Sequence, residues 1–90
     1  MEEGTHKLSS FFRLMGNGIR FEILLQLREG NRKLDEIVDR LDRSVDTVSR
    51  HLGTLRNYGL VGDSSEDRFE LKRPDLLEKC LEFRNYLKGN

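Results

Sequence analysis

The sequence predicts a mainly α-helical fold with one small β-hairpin and a helix near each end of the chain. Three observations carry this expectation. Apolar residues recur at i, i+3, i+4 and i+7 in successive stretches, the spacing of one helix face. Short breaks rich in Gly, Asn, Asp and Ser separate those stretches. Leu60-Val61 and Phe69-Glu70-Leu71 are strand-like runs on either side of the turn-rich segment G-D-S-S-E-D.

Taken in order, residues 1–5 are expected to fray, and Leu8, Phe11, Phe12 and Met15 form one stripe of a short helix over His6–Met15 that Thr5 can cap. Gly16-Asn17-Gly18 breaks this helix, and Asn17 is placed to cap a second over about Gly18–Arg28, burying Ile19, Ile23, Leu24 and Leu27. Glu29-Gly30-Asn31 reads as a C-cap and turn, with Gly30 or Asn31 suited to positive φ. A third helix spans about Leu34–Leu41, with Leu34, Ile37, Val38 and Leu41 on one face. Asp42-Arg43-Ser44 leaves room only for a tight connection to the next element.

The helix that follows, over about residues 44–58, organises the rest. Ser44 is a good N-cap, and Asp46 puts negative charge in the first turn, where the helix dipole favours it. Val48, Leu52 and Leu55 make the apolar face. The opposite face carries Val45, Asp46, Ser49, Arg50 and Gly53, all short or hydrogen-bonding, with one guanidinium among them. Gly59 sits where a helix ends in a left-handed residue. Two short helices joined by three or four residues, the second presenting slim polar positions, match a helix-turn-helix. The hairpin over about residues 60–72 then acts as a wing, and Pro74 suits the first turn of a final helix over about residues 74–88. In that last helix Leu76, Cys80, Phe83 and Leu87 form one stripe, and Leu77 and Leu81 with Arg84 form another. One stripe serves the domain and the other a partner.

Ninety residues make a single domain, 1–90, with a modest core, since only 36% of residues are hydrophobic. Sixteen basic and sixteen acidic residues cancel, which argues against a whole-protein electrostatic grip on nucleic acid and leaves the matter to local distribution. Arg40, Arg43, Arg50 and Arg56 outweigh Asp42 and Asp46 around the organising helix, with Arg32 and Lys33 able to add to them. The wing is the reverse. Asp63, Glu66, Asp67 and Glu70 oppose Arg68, with Lys72 and Arg73 at the base.

One cysteine, Cys80, cannot close an internal disulfide. No apolar run approaches the roughly 20 residues of a membrane span, and no basic segment leads into an apolar one at the N-terminus, so a cytoplasmic location is expected. Catalysis is not expected. Cys80 and His51 lie on different helices with no orienting motif, and Gly16-Asn17-Gly18 is too short for a phosphate loop. No cofactor is implied.

Three stretches resemble the ArsR-type winged-helix transcription regulators. L-M-G-N-G-I-R-F-E-I-L (Leu14–Leu24) is similar to the family's opening, and K-L-D-E-I-V-D-R-L (Lys33–Leu41) to its first helix-turn-helix element. S-V-D-T-V-S-R-H-L-G-T-L-R-N-Y-G-L-V (Ser44–Val61) resembles its recognition helix and the start of its wing. The resemblance implies a homodimeric, sequence-specific binder of double-stranded DNA that acts as a repressor on a near-palindromic operator. It places Val45, Asp46, Ser49 and Arg50 in the major groove. Thr47 and Arg56 lie nearer the phosphates, Ser44 counts among the DNA-binding residues, and Arg68 adds a wing contact. Asp46 either accepts from cytosine N4 or only caps its helix. His51 is either a half-buried packing residue or a DNA or pH-switch group, and Cys80 either packing or a redox sensor. Dimerisation through the first and last helices is implied, with Leu8, Phe11, Phe12, Leu77 and Leu81 as interface residues. No effector is named by any of these features.

Two departures from the family pattern bear on function. Metal-sensing members carry a cysteine pair where this chain has Asp35-Glu36-Ile37-Val38, and a second family site uses Asp and His on the last helix, where Asp75, Glu78 and Glu82 occur without His. No metal site is therefore expected. The acidic wing and zero net charge support an alternative, a winged-helix module for protein–protein contact.

Overall fold

Caps and turns set the element boundaries that apolar spacing leaves open. The computed structural model describes residues 2–89. The order is α1 (Glu3–Met15), α2 (Gly18–Glu29), β1 (Arg32–Lys33), α3 (Leu34–Leu41), α4 (Val45–Asn57), β2 (Val61–Asp63), β3 (Arg68–Leu71) and α5 (Pro74–Lys88). Asn17 Oδ1 accepts from the Arg20 amide at 3.0 Å and so caps α2. At the start of α3, the Lys33 amide donates to Glu36 Oε1 at 2.8 Å, which holds the Glu36 carboxyl below the usual carboxylate range. Ser44 Oγ accepts from the Thr47 amide at 3.2 Å and caps α4. That helix ends in a Schellman motif: Leu60 N–H donates to Leu55 O and Gly59 N–H to Arg56 O, both at 3.0 Å, with Gly59 at φ 77°.

The α3–turn–α4 unit is a helix-turn-helix, and its turn pivots on Asp42 at φ 54°. Its short polar side chain tolerates the left-handed region better than most. Strands β2 and β3 pair antiparallel with Val61 opposite Leu71 and Asp63 opposite Phe69, forming the wing. Its tip, Ser65–Arg68, has positive φ at both central residues, 61° at Glu66 and 59° at Asp67, the pattern of a type I′ hairpin turn.

Several expectations are corrected. Helix α1 starts at Glu3, so residues 3–5 are helical and Thr5 lies inside the helix, donating to Glu2 Oε1 at 3.3 Å. Glu3 in the first turn and its i,i+4 pair with Lys7 (3.0 Å) favour that early start. Met1 lies outside the described residues. Neither Gly30, at φ 160°, nor Asn31 is left-handed, because the chain runs extended from α2 into β1. Strand β1 itself was not expected. It pairs antiparallel with β3, Arg32 opposite Phe69, giving a three-stranded sheet in the order β1-β3-β2.

The core gathers Ile23, Leu24 and Leu27 of α2, Ile37 of α3, Val48, Leu52 and Leu55 of α4, and Leu14, Leu60 and Val61. Ile19, Leu34, Val38 and Leu41 pack against it only half-buried. Leu77 and Leu81 are also core, 2% and 5% exposed, so they face their own protomer and do not form an interface. Two neighbouring apolar stripes on one helix look alike in sequence. What selects the inward one is docking against α2, marked by the Arg28–Glu78 ion pair at 2.6 Å. The outward apolar surface of α5 is Phe83, Tyr86 and Leu87. On α1, Leu8 and Phe12 are exposed while Phe11 leans half-buried against the core.

Candidate nucleic-acid interface

Helix α4 turns Val48, His51, Leu52 and Leu55 inward. Helical geometry then sends Val45, Asp46, Ser49 and Arg50 outward, and all four are exposed. Arg50 makes no hydrogen bond or ion pair through its guanidinium among the described residues, and the same holds for the exposed Arg43 in the preceding turn. Ser44 donates its hydroxyl to Thr47 Oγ1 at 2.9 Å, so both hydroxyls already serve the cap. Asp46 is exposed in the first turn, where its charge favours the helix. Beside this face lies an open groove of about 230 Å³ between α4 and the sheet, lined by Leu34, Ser49, Leu52, Gly53, Arg56 and Phe69.

Several other cations near this face are engaged within the protein, whereas exposed Lys33, which shares a surface cleft with Val45, forms no ion pair among the described residues. Arg56 Nη2 pairs with Asp63 Oδ1 at 2.7 Å, and its guanidinium carbon lies 5.4 Å from the centroid of the Phe69 ring. It bridges the end of α4 to the wing. Arg68 Nη1 donates to Asn31 O at 3.2 Å and to Glu36 Oε1 at 3.3 Å, and Nε lies 3.9 Å from Glu66, so Arg68 staples β3 to the β1–α3 segment. Lys72 pairs with Glu70, and Arg73 with Asp75 at 2.8 Å. Of the expected contact residues, the structure therefore brings Val45, Asp46, Ser49 and Arg50 onto one exposed face. Arg56 and Arg68 are drawn into internal pairs.

His51 is 8% exposed, and its Nδ1 accepts from Arg20 Nη1 at 3.3 Å. Burial, and secondarily the charges of Arg20 and Arg50, hold its pKa below the ordinary value. The sign follows from the unfolded chain, which binds a proton in the window just below about pH 6.5 where the folded protein does not. This contribution to stability is present above pH 6.5 and is lost as the pH falls through that window. Urea midpoints measured between pH 7.5 and 5.5 should decline, and His51→Asn should flatten that decline. An unchanged slope in the variant would assign the effect to other groups.

The hydrogen bonds of Arg20 to α1 and to His51 could not be read from the sequence. Its only signal was its place in the Leu14–Leu24 motif, because the carbonyls and the imidazole it meets lie on other helices. Burial pushes the thiol of half-buried Cys80 up. Among the described residues no group of three His, Cys, Asp or Glu side chains is placed to hold a metal ion. No helix among them is long and apolar enough to cross a membrane.

Comparison with known proteins agrees with this geometry. Residues 17–62 match the profile of the bacterial regulatory protein arsR family. The transcriptional activator HlyU of Vibrio cholerae is 33% identical over 66 residues, which are 73% of this chain and 61% of HlyU, so the chain spans about 61% of the length of that curated relative. The structure of reduced HlyU from V. cholerae matches with a TM-score of 0.79 at 28% identity, over 97% of this chain and 94% of that one. The homodimeric winged helix-turn-helix DNA-binding domain Mb0332 from Mycobacterium bovis shares the fold, with a TM-score of 0.70 at 20% identity over 99% of this chain and 87% of that one.

Proposed function

Because the chain belongs to the arsR family of bacterial regulatory proteins, we propose that it is a single winged-helix domain that binds double-stranded DNA in the cytoplasm as a homodimer. In this function α4 enters the major groove, Arg50 and Ser49 read base edges, and Val45 and Asp46 line the contact. The observation that carries it is the exposed, internally unpaired Arg50 beside Ser49 on the slim face of a well-capped helix. Two copies would cover a near-palindromic operator and act by occluding a promoter. A second copy would cover the apolar surface of Leu8 and Phe12 on α1 with Phe83 and Leu87 on α5, which are 52–63% exposed in the protomer. The homodimeric state of Mb0332 supports this arrangement.

Selection of bound duplexes from a random pool tests the function directly. We expect two symmetric half-sites about 10–10.5 bp apart, or a multiple of that, and an affinity that falls steeply with salt. No enriched sequence and no salt-dependent binding would overturn it. That outcome would favour a protein–protein module, the alternative that the acidic wing tip at Glu66 and Asp67 supports.

Gly53 adds a separate prediction. It sits inside α4, and a Cβ built there would meet no other atom within 4 Å, so packing does not require glycine. Gly53→Ala should stabilise the protein by about 0.5–1 kcal/mol through helix propensity. It should also weaken duplex binding, since the added methyl faces the groove. Melting curves read the first effect and a binding titration the second; a variant that is more stable and binds equally well would remove Gly53 from the contact.

A further inference from the structure

We infer that Arg20 is a positioning residue that locks the reading helix α4 to the partner-facing helix α1 and thereby sets the spacing of the two half-sites. The inference rests on the dimeric DNA-reading function proposed above. Three nitrogens of one guanidinium reach two other helices. Nε donates to Leu14 O at 2.8 Å and Nη2 to Arg13 O at 3.3 Å, both in the last turn of α1. Nη1 donates to His51 Nδ1 at 3.3 Å in α4. The backbone of Arg20 is itself fixed in the first turn of α2 by the Asn17 cap.

The chemistry of these partners is specific. Carbonyls in the last turn of a helix have no acceptor role within it, and they carry the negative end of its dipole. They suit a guanidinium that has no carboxylate partner among the described residues. A planar fork of donors also fixes direction, which a flexible ammonium does not. The lowered basicity of His51 is consistent with a neutral ring whose Nδ1 accepts.

Position gives the clasp its consequence. One gripped carbonyl, that of Arg13, adjoins exposed Phe12 on the surface assigned to the second copy. The gripped imidazole adjoins Arg50 on the reading face. Beside the shared apolar core, one polar path from partner surface to reading face therefore runs through a single side chain. Loosening it should let α4 tilt relative to the two-fold axis while each protomer keeps its core.

The test uses the full chain and duplexes carrying the selected half-sites at the preferred spacing, or with one or two base pairs inserted or removed. Each base pair rotates a half-site by about 35°. Wild-type protein is expected to prefer the selected spacing by about tenfold or more over a one-pair change. Arg20→Gln and His51→Leu should bring that ratio close to one. His51→Asn, whose Oδ1 takes the place of Nδ1, should restore it. A dimer measured by sedimentation, with a cooperative melt, shows that each variant is folded. Where Arg20→Gln fails to fold, the His51→Leu and His51→Asn pair decides alone. Variants that lose affinity equally at every spacing, or that keep the wild-type ratio, would overturn the inference. Wild-type protein indifferent to every duplex would instead overturn the DNA-reading function beneath it.

Discussion

Leu77→Ala is expected to lower the unfolding free energy of the protomer by about 2–5 kcal/mol, the range for a buried leucine truncated in a core that only partly collapses. Leu77 is 2% exposed and belongs to the central cluster with Leu24 and Leu60. A chain of this size has a total stability of roughly 5–13 kcal/mol, so the loss is a large share of it. Denaturant titration of dilute protein should show the midpoint shift. Phe83→Ser, on the outward stripe of the same helix at 62% exposure, should leave the dilute protomer almost unchanged and weaken self-association in a concentration series. The reverse pattern, an unaffected protomer with Leu77→Ala and an unfolded one with Phe83→Ser, would turn α5 inside out.

That helix marks the boundary of what the chain reveals by itself. The spacing of Leu76, Leu77, Cys80, Leu81, Phe83 and Leu87 shows that α5 is apolar on two adjacent sides, but orientation is a tertiary fact. It depends on which side meets α2, where Arg28 reaches Glu78 across 50 positions of sequence. The helix-turn-helix was legible because independent local signals agree there. Ser44 caps, Val48, Leu52 and Leu55 repeat at helical spacing, and Gly59 ends the helix in a left-handed turn. Strand β1 lacked any such agreement. Two residues are too few to show alternation, and their partner strand lies far along the chain.

Charge divides in the same way. The arginines could be counted from the start, but whether each is free depends on the acid that folding brings within reach. Arg56 finds Asp63 seven positions away on the wing, and Arg68 finds Glu36 on α3, 32 positions away. A basic cluster in sequence thus shrinks to Lys33, Arg43 and Arg50 as side chains near the reading face that are not spoken for among the described residues. Exposed ion pairs are individually weak, so Arg56 or Arg68 can be diverted to phosphate at a modest cost. Arg50 needs no diversion at all.

From that difference follows the largest expected change in recognition. Arg50→Ala should weaken binding to the selected duplex by about 1–3 kcal/mol, roughly 5- to 150-fold, with a much smaller loss on random duplex. A guanidinium aimed at guanine O6 and N7 donates two parallel hydrogen bonds, and the wrong base leaves one or both unmade. Arg50→Lys should therefore fail to restore discrimination although it keeps the charge, because an ammonium is a point donor. The slope of log affinity against log salt separates the possible contacts. For a base contact the slope stays close to that of the wild type while the specificity ratio collapses. For a phosphate contact both duplexes weaken together and the slope falls by about one. Equal weakening with the lower slope would take Arg50 out of sequence reading and leave Ser49 and Asp46 as the polar side chains on the slim face of α4 left to do it.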